Sequence, residues 1–216
     1  MLRIALTAWL AACPAMACET ALVLSIDVSG SIDGNDFRLQ AEGLALALTD
    51  PEVAEALVKG QVALAVVQWS GADEQALVLS WQRMLAPDDV ARFAARAAAM
   101  TRSYKGSDTA VGQGLRFAQK QFAAVPDCDR KVVDVSGDGQ ENAGFTDLRA
   151  RSEAAEAGIT INAIAIEEPG PAFPITSYYK NWVITSDGFV VTARGLQDYA
   201  KTLRRKLLRE LVKPVG

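Results

Sequence analysis

The stretch Leu22 to Asp27 is apolar almost throughout, ends on a carboxylate, and is followed at once by Ser29, Gly30 and Ser31. A run this short and this apolar, closed by glycine and small polar residues, reads as a buried strand that leaves the core at a tight turn. The same design recurs. Gln61 to Ser70 contains the run Val62–Val67, Lys131 to Ser136 stops at Gly137-Asp138-Gly139, and Ile159 to Ile166 is again apolar. Between the runs, apolar residues fall at helical spacing. Phe37, Ala41, Leu44, Ala45 and Leu48 form one such stripe, with Asp33 as its cap, Asp36 at the third position and an end near Thr49, before Pro51. Val90, Phe93, Ala94 and Ala97 form the next, and Val111, Leu115, Ala118 and Phe122 another. Further helices are predicted over roughly 147–157 and 196–211, a short strand over 189–192, and an antiparallel partner strand over 76–81. Strands alternating with helices predict a doubly wound α/β fold: a mostly parallel central sheet, one antiparallel edge hairpin, and helices on both faces. In such sheets ligands sit beyond the carboxyl ends of the strands, where Asp27 and Asp138 lie.

Composition narrows the chemistry. Half of the 216 residues are apolar and 22% are charged, as in one globular domain. The net charge of −4 gives no electrostatic footprint for nucleic acid. The chain contains no histidine, so Ser-His-Asp and Cys-His nucleophiles, a histidine base and the usual zinc sites are excluded, and a metal would be held by oxygen.

Residues 1–17 read as a signal peptide. A positive start at Arg3 precedes an apolar run over Ile4–Ala12 and an Ala15-Met16-Ala17 cleavage pattern. Leu10-Ala11-Ala12-Cys13 also resembles a lipobox, in which case 1–12 would be removed and Cys13 lipidated; both routes stay open. Either predicts an exported protein, periplasmic or extracellular, held at a membrane only if Cys13 is lipidated. Residues 18–216 are then expected to form a single domain. Cys18 and Cys128 each precede a predicted strand, so parallel neighbouring strands would bring them to the same end of the sheet as a disulfide; two buried free thiols are the alternative.

Three loops converge on one end of this fold: Asp27-Val28-Ser29-Gly30-Ser31, Gly106-Ser107-Asp108-Thr109 and Gly137-Asp138-Gly139. Here the sequence resembles the von Willebrand factor type A family, in its bacterial secreted form, across residues 20–212. That family's metal-ion-dependent adhesion site uses a D-x-S-x-S loop, a distant threonine and a distant aspartate. The resemblance implies that the hydroxyls of Ser29, Ser31 and Thr109 bind a cation directly, and that Asp27 and Asp138 help directly or through water. Hydroxyls with two carboxylates suit Mg2+, or Mn2+ or Ca2+, and leave the ion electrophilic. The resemblance further implies that an Asp or Glu of a partner protein fills the remaining coordination position, in a module that is not an enzyme. Taken singly, Ser29 and Ser31 read as turn residues, Thr109 as an N-cap, and Asp108, Glu141 and Asn142 as solvated loop positions.

Rival patterns fit less well. Asp134–Gly139 imitates the opening of an EF-hand loop, but its twelfth position is Phe145 and Asp134 lies inside a strand. Gly137-Asp138-Gly139 resembles the last motif of haloacid-dehalogenase phosphatases, with Asp27 as nucleophile, yet Ser29 stands where that chemistry needs a second aspartate. A structural domain with a vestigial site is the third reading. For a partner surface, the segment 167–182 presents Tyr178, Tyr179 and Trp182, which suit an interface centre or the domain's own edge. Lys201, Arg204, Arg205, Lys206 and Arg209 read as the solvated face of the last helix.

Overall fold

A computed structural model describes residues 18–106, 108–168 and 174–212. The leader reading of 1–17 with Cys13, and Ser107, Pro169 and Pro171, lie outside the described residues. Six strands, β1 (Cys18–Asp27), β2 (Ala63–Trp69), β3 (Gln75–Arg83), β4 (Cys128–Gly137), β5 (Ile159–Glu167) and β6 (Val190–Arg194), form one sheet in the order β3-β2-β1-β4-β5-β6. All neighbours are parallel except β2 and β3, so the expected doubly wound sheet with one antiparallel edge strand is what the chain forms.

The period of two along the strands sorts the core into layers. Leu22, Leu24 and Ile26 face α1 (Gly34–Thr49), α2 (Pro51–Lys59), α3 (Pro87–Ala98) and α7 (Tyr199–Leu211), meeting Leu44, Leu57, Phe93 and Leu203. Ala21 and Val23 face the other way, toward Leu115 of α4 (Val111–Gln121) and Ala154 of α5 (Asp147–Glu156). The chain winds outward from β1 through β2 to β3, then crosses to the opposite side of β1 for β4, β5 and β6. The reversal leaves a crevice between the carboxyl ends of β1 and β4, the place where open sheets of this kind bind ligands.

Local chemistry explains where the elements stop. Asp33 caps α1 by accepting from the Asn35 and Asp36 N–H groups, and Asp36 accepts the Asp33 N–H in return. The sequence pattern stopped at Pro51, but the chain restarts at once as α2. Asp50 accepts from the Glu52 and Val53 N–H groups, and a proline in the first helical position costs no hydrogen bond. A second unexpected element is α6 (Ile175–Tyr178), which runs on into a π-helical turn over Tyr179–Val183.

Two features lock the fold away from the crevice. Cys18 and Cys128 are direct register partners on β1 and β4, with Cα atoms 4.4 Å apart, and form a disulfide. It sits at the opposite end of β1 from Asp27, about 30 Å along the strand. Lys206, expected on a solvated face, is instead fully buried. Its ammonium lies 2.6 Å from Asp134 Oδ1 as an ion pair and donates to Glu210 Oε1 at 2.5 Å, which also accepts from Asn162 Nδ2 at 2.7 Å. The reason is position: Lys206 lies between Leu203 and Leu207 on the inward stripe of α7, directly over the two acids. Burial, reinforced by the Glu210 charge and opposed by Lys206, pushes the Asp134 carboxyl up to about 7.

Two outcomes follow from these locks. The double variant Cys18→Ser/Cys128→Ser should lose about 5 kcal/mol of unfolding free energy in urea, the chain-entropy value for a loop of this length, with its strand register unchanged. Lys206→Met should lose about 3–5 kcal/mol at pH 8, because two acids are left buried without their cation. The loss should shrink toward pH 5. A carboxyl raised in the folded state carries stability that is whole below its unfolded value near 4 and is lost as pH climbs through the folded value. Equal losses at both pH values would contradict this charge assignment.

Candidate metal centre

The turn after β1 is held by its own first carboxylate. Asp27 Oδ1 accepts the Ser29 N–H at 2.8 Å, and the Val28 N–H donates to the Trp69 carbonyl at the end of β2. Arg102 closes the turn from outside, donating to the Val28 carbonyl at 2.9 Å and to the Ser29 carbonyl at 2.8 Å. With the backbone fixed from both sides, the Ser29 and Ser31 hydroxyls lie 3.4 Å apart, and Ser31 donates to Asp138 Oδ1 at 2.6 Å.

The second loop is tied to the third. Ser70, at the end of β2, donates to the Asp108 carbonyl and accepts the Ala110 N–H on its own carbonyl, which pins Thr109 in place. The Thr109 N–H donates to Asn142 Oδ1 at 2.8 Å, and its carbonyl accepts the Asn142 N–H at 2.9 Å. The Thr109 side chain packs on Gly139, where a Cβ would lie 3.5 Å from Oγ1. The five residues expected to act together, Asp27, Ser29, Ser31, Thr109 and Asp138, therefore line one crevice at the β1/β4 reversal. Asp27, Ser29 and Thr109 are buried, Asp138 is half-buried and Ser31 is exposed.

Electrostatically the crevice holds more acid than its surroundings satisfy. Asp27 Oδ2 is buried and accepts no hydrogen bond. Burial and the neighbouring Asp138 carboxylate push the Asp27 carboxyl up to about 7, against the pull of Ser29 and Arg102. Burial also raises Asp138, opposed by the Ser31 hydroxyl. Among the described residues no three His, Cys, Asp or Glu side chains group as metal ligands, so the donor set is hydroxyl-rich: two carboxylates and three hydroxyls. That set, with one carboxylate oxygen buried and unpartnered, fits a hard divalent cation that keeps some of its waters.

Several supports had no sequence signal. Arg102 reaches the turn across a large sequence separation. Glu141 and Asn142, read as solvated, are struts: Glu141 accepts the N–H groups of Gly112, Thr146 and Asp147, and Asn142 holds Thr109. The glycine-carboxylate run did mark Gly137, whose missing Cβ is required, since one there would lie 2.8 Å from Asp27 Oδ2 and closer still to the Tyr179 hydroxyl.

The aromatic surface expected around Tyr178, Tyr179 and Trp182 needs correcting. Tyr179 is fully buried behind Gly137, its hydroxyl without a hydrogen-bond partner, and burial with the Asp27 charge raises its phenol. Tyr178 is also inside, donating to Asp147 Oδ2 at 2.8 Å. Both belong to the helical segment that packs under the crevice, and of the three only Trp182 is exposed.

Known proteins can now be set beside this geometry. A sequence profile described as "Protein of unknown function (DUF1194)" matches residues 17–215. Among curated proteins no sequence matches the chain. Of solved structures, a von Willebrand factor type A protein from Catenulispora acidiphila superposes with a TM-score of 0.66 at 22% identity, covering 93% of this chain and 44% of its own. Proximal thread matrix protein 1 from the mussel byssus, with a zinc-occupied MIDAS motif, gives 0.64 at 19% identity over 91% of this chain and 46% of its own. The pilus adhesin SpaC from Lactobacillus rhamnosus GG gives 0.66 at 13% identity over 89% and 30%. The chain thus spans less than half the length of each of these structures. At such identities the likeness establishes the fold, that of a von Willebrand factor type A domain.

The packing over Gly137 predicts an asymmetry between two nearby glycines. Gly137→Ala must displace Asp27 or Tyr179 and should lose about 1–3 kcal/mol in urea unfolding. Gly139→Ala, which meets Thr109 only at van der Waals distance, should stay within about 1 kcal/mol of the wild type.

Proposed function

The chain belongs to the DUF1194 family, and from that premise we propose that it is an exported, non-catalytic binding module that uses a divalent cation to engage an acidic side chain of a partner protein. The observation that carries this reading is the convergence of Asp27, Ser29, Ser31, Thr109 and Asp138 at the β1/β4 reversal, with Asp27 Oδ2 buried and unpartnered. Ser29, Ser31 and Thr109 would hold the ion through their hydroxyls, and Asp27 and Asp138 directly or through water. Mg2+ suits the set, with Mn2+ or Ca2+ as substitutes. When bound, the ion supplies an electrophilic coordination position that attracts a carboxylate.

The protein's own residues do the rest. Arg102 and the Asp27–Ser29 bond hold the serine hydroxyls in register, so little ordering remains to be done on binding. Asp138, at the rim, orients Ser31. A phosphatase reading needs Asp27 as an accessible nucleophile, and Asp27 is fully buried with one oxygen committed to the Ser29 N–H. Residues 18–216 would form one domain following an export signal in 1–17. The titles of related structures name a pilus adhesin and a byssal matrix protein, both consistent with work outside the cell. No helix among the described residues is long and apolar enough to cross a membrane.

Two measurements test the proposal together. Adding MgCl2 or MnCl2 to the EDTA-treated protein should raise its melting temperature, and Asp138→Ala should abolish the shift while Trp182→Ala keeps it. Cross-linking to cell-envelope protein should then require magnesium and disappear in EDTA or with Asp138→Ala. A partner captured equally under all three conditions would reject the reading.

A further inference from the structure

Phe145 is the most exposed large apolar side chain among the described residues, at 79%. Its backbone is held in the left-handed region, with φ of 48°, directly after Gly144 at 82°. That conformation is unfavourable for a bulky residue and persists only where the surroundings impose it. Here they do. Glu141 Oε2 accepts the N–H groups of Thr146 and Asp147, both at 2.9 Å, while its other oxygen accepts the Gly112 N–H at 3.0 Å. The Glu141 N–H donates to the Tyr178 hydroxyl, which donates onward to Asp147. The loop is clamped on both sides of a ring that contacts little of its own protein.

The loop is also fastened to the metal centre. The Asn142 and Ala143 N–H groups both donate to the Thr109 carbonyl. Phe145 lies three residues beyond Asn142, a span of about 11 Å at most. Leu148 follows at 46% exposure in the first turn of α5. Arg151, one turn further, donates to the Asn181 carbonyl and so brings the exposed Trp182 to the same flank.

We propose that Phe145 is the aromatic anchor of the partner interface, seating against apolar residues that flank the metal-seeking carboxylate of a protein ligand. This rests on the reading of the crevice given above and specifies its ligand: an Asp or Glu with apolar neighbours. A rigid aromatic beside a charge-directed contact is the usual make-up of an interface centre. The setting favours a protein over a lipid surface, because the loop that bears the ring is fastened through the Asn142 and Ala143 N–H groups to the Thr109 carbonyl, beside a candidate cation position that takes one carboxylate held at a set distance from the ring.

The test selects a displayed random-peptide library on the immobilised full chain in magnesium buffer, with elution by EDTA. Recovered peptides should share an Asp or Glu with apolar residues at a constant offset. A synthetic consensus peptide should bind Phe145→Ser about tenfold more weakly than the wild type, and bind neither in EDTA. Phe145→Gly, which relieves the backbone, should be at least as thermally stable as the wild type and equally weak in binding, separating the anchor from any role in folding. A consensus peptide that binds wild type and both variants alike, yet needs magnesium, overturns the anchor and leaves the metal reading standing. Binding indifferent to EDTA overturns both. Sedimentation of the wild type, but not Phe145→Ser, with phosphatidylcholine–phosphatidylglycerol vesicles would assign the ring to a membrane and overturn the protein ligand.

Discussion

A carboxylate oxygen buried without a hydrogen-bond partner, Asp27 Oδ2, is the constraint around which the upper end of this domain is arranged. Leaving such a group unsatisfied is costly, so a fold that keeps it must surround it with structure that permits nothing else. β1 is flanked by β2 and β4 on both edges, so Asp27 cannot turn outward. Gly137 supplies the close approach on the β4 side, and Tyr179 seals the space behind it. Arg102 fixes the following turn by its carbonyls. Under the proposed function, the unmet demand at Asp27 and the hydroxyls above it are two sides of one cradle for a hard cation.

The other ionisable groups in the core show the contrast. Asp134 lies within β4, four residues before Asp138, and it too is pushed up by burial. There the chain supplies its own cation in Lys206, which pairs with both Asp134 and Glu210, and Asn162 donates to Glu210. Among the described residues no cation forms an ion pair with Asp27, since Arg102 spends its donors on carbonyls. Together with the disulfide at the far end of β1, the Lys206 cluster makes the lower sheet and α7 a rigid base. The loops at the carboxyl ends hold their shape through side-chain struts to backbone, chiefly Glu141, Asn142 and Arg102.

Much of this was legible in the sequence because it was local. The apolar run into Asp27, the capping pair Asp33/Asp36 and the D-x-S-x-S turn each lie within a few residues, and the alternation of strand and helix patterns leads to the sheet. The opposed cysteines were legible once β1 and β4 were neighbours. What escaped depends on tertiary geometry. Lys206 and Arg205 are equivalent by composition, and only the rotation of α7 buries one and not the other. For Tyr178 and Tyr179 the sequence left an interface and the domain's own edge both open, because the short helical segment that carries them inward has no capping or periodic signal. Phe145 carried no signal at all, since its exposure follows from a left-handed backbone that Glu141 enforces.

The most direct test of the central claim is anomalous diffraction from crystals grown in MnCl2. The account predicts one strong manganese peak at the crevice, within about 2 to 2.5 Å of the Ser29 and Ser31 hydroxyls, with Asp27, Thr109 and Asp138 around it. Manganese density confined to the outer surface, with none at the crevice at saturating MnCl2, would contradict it.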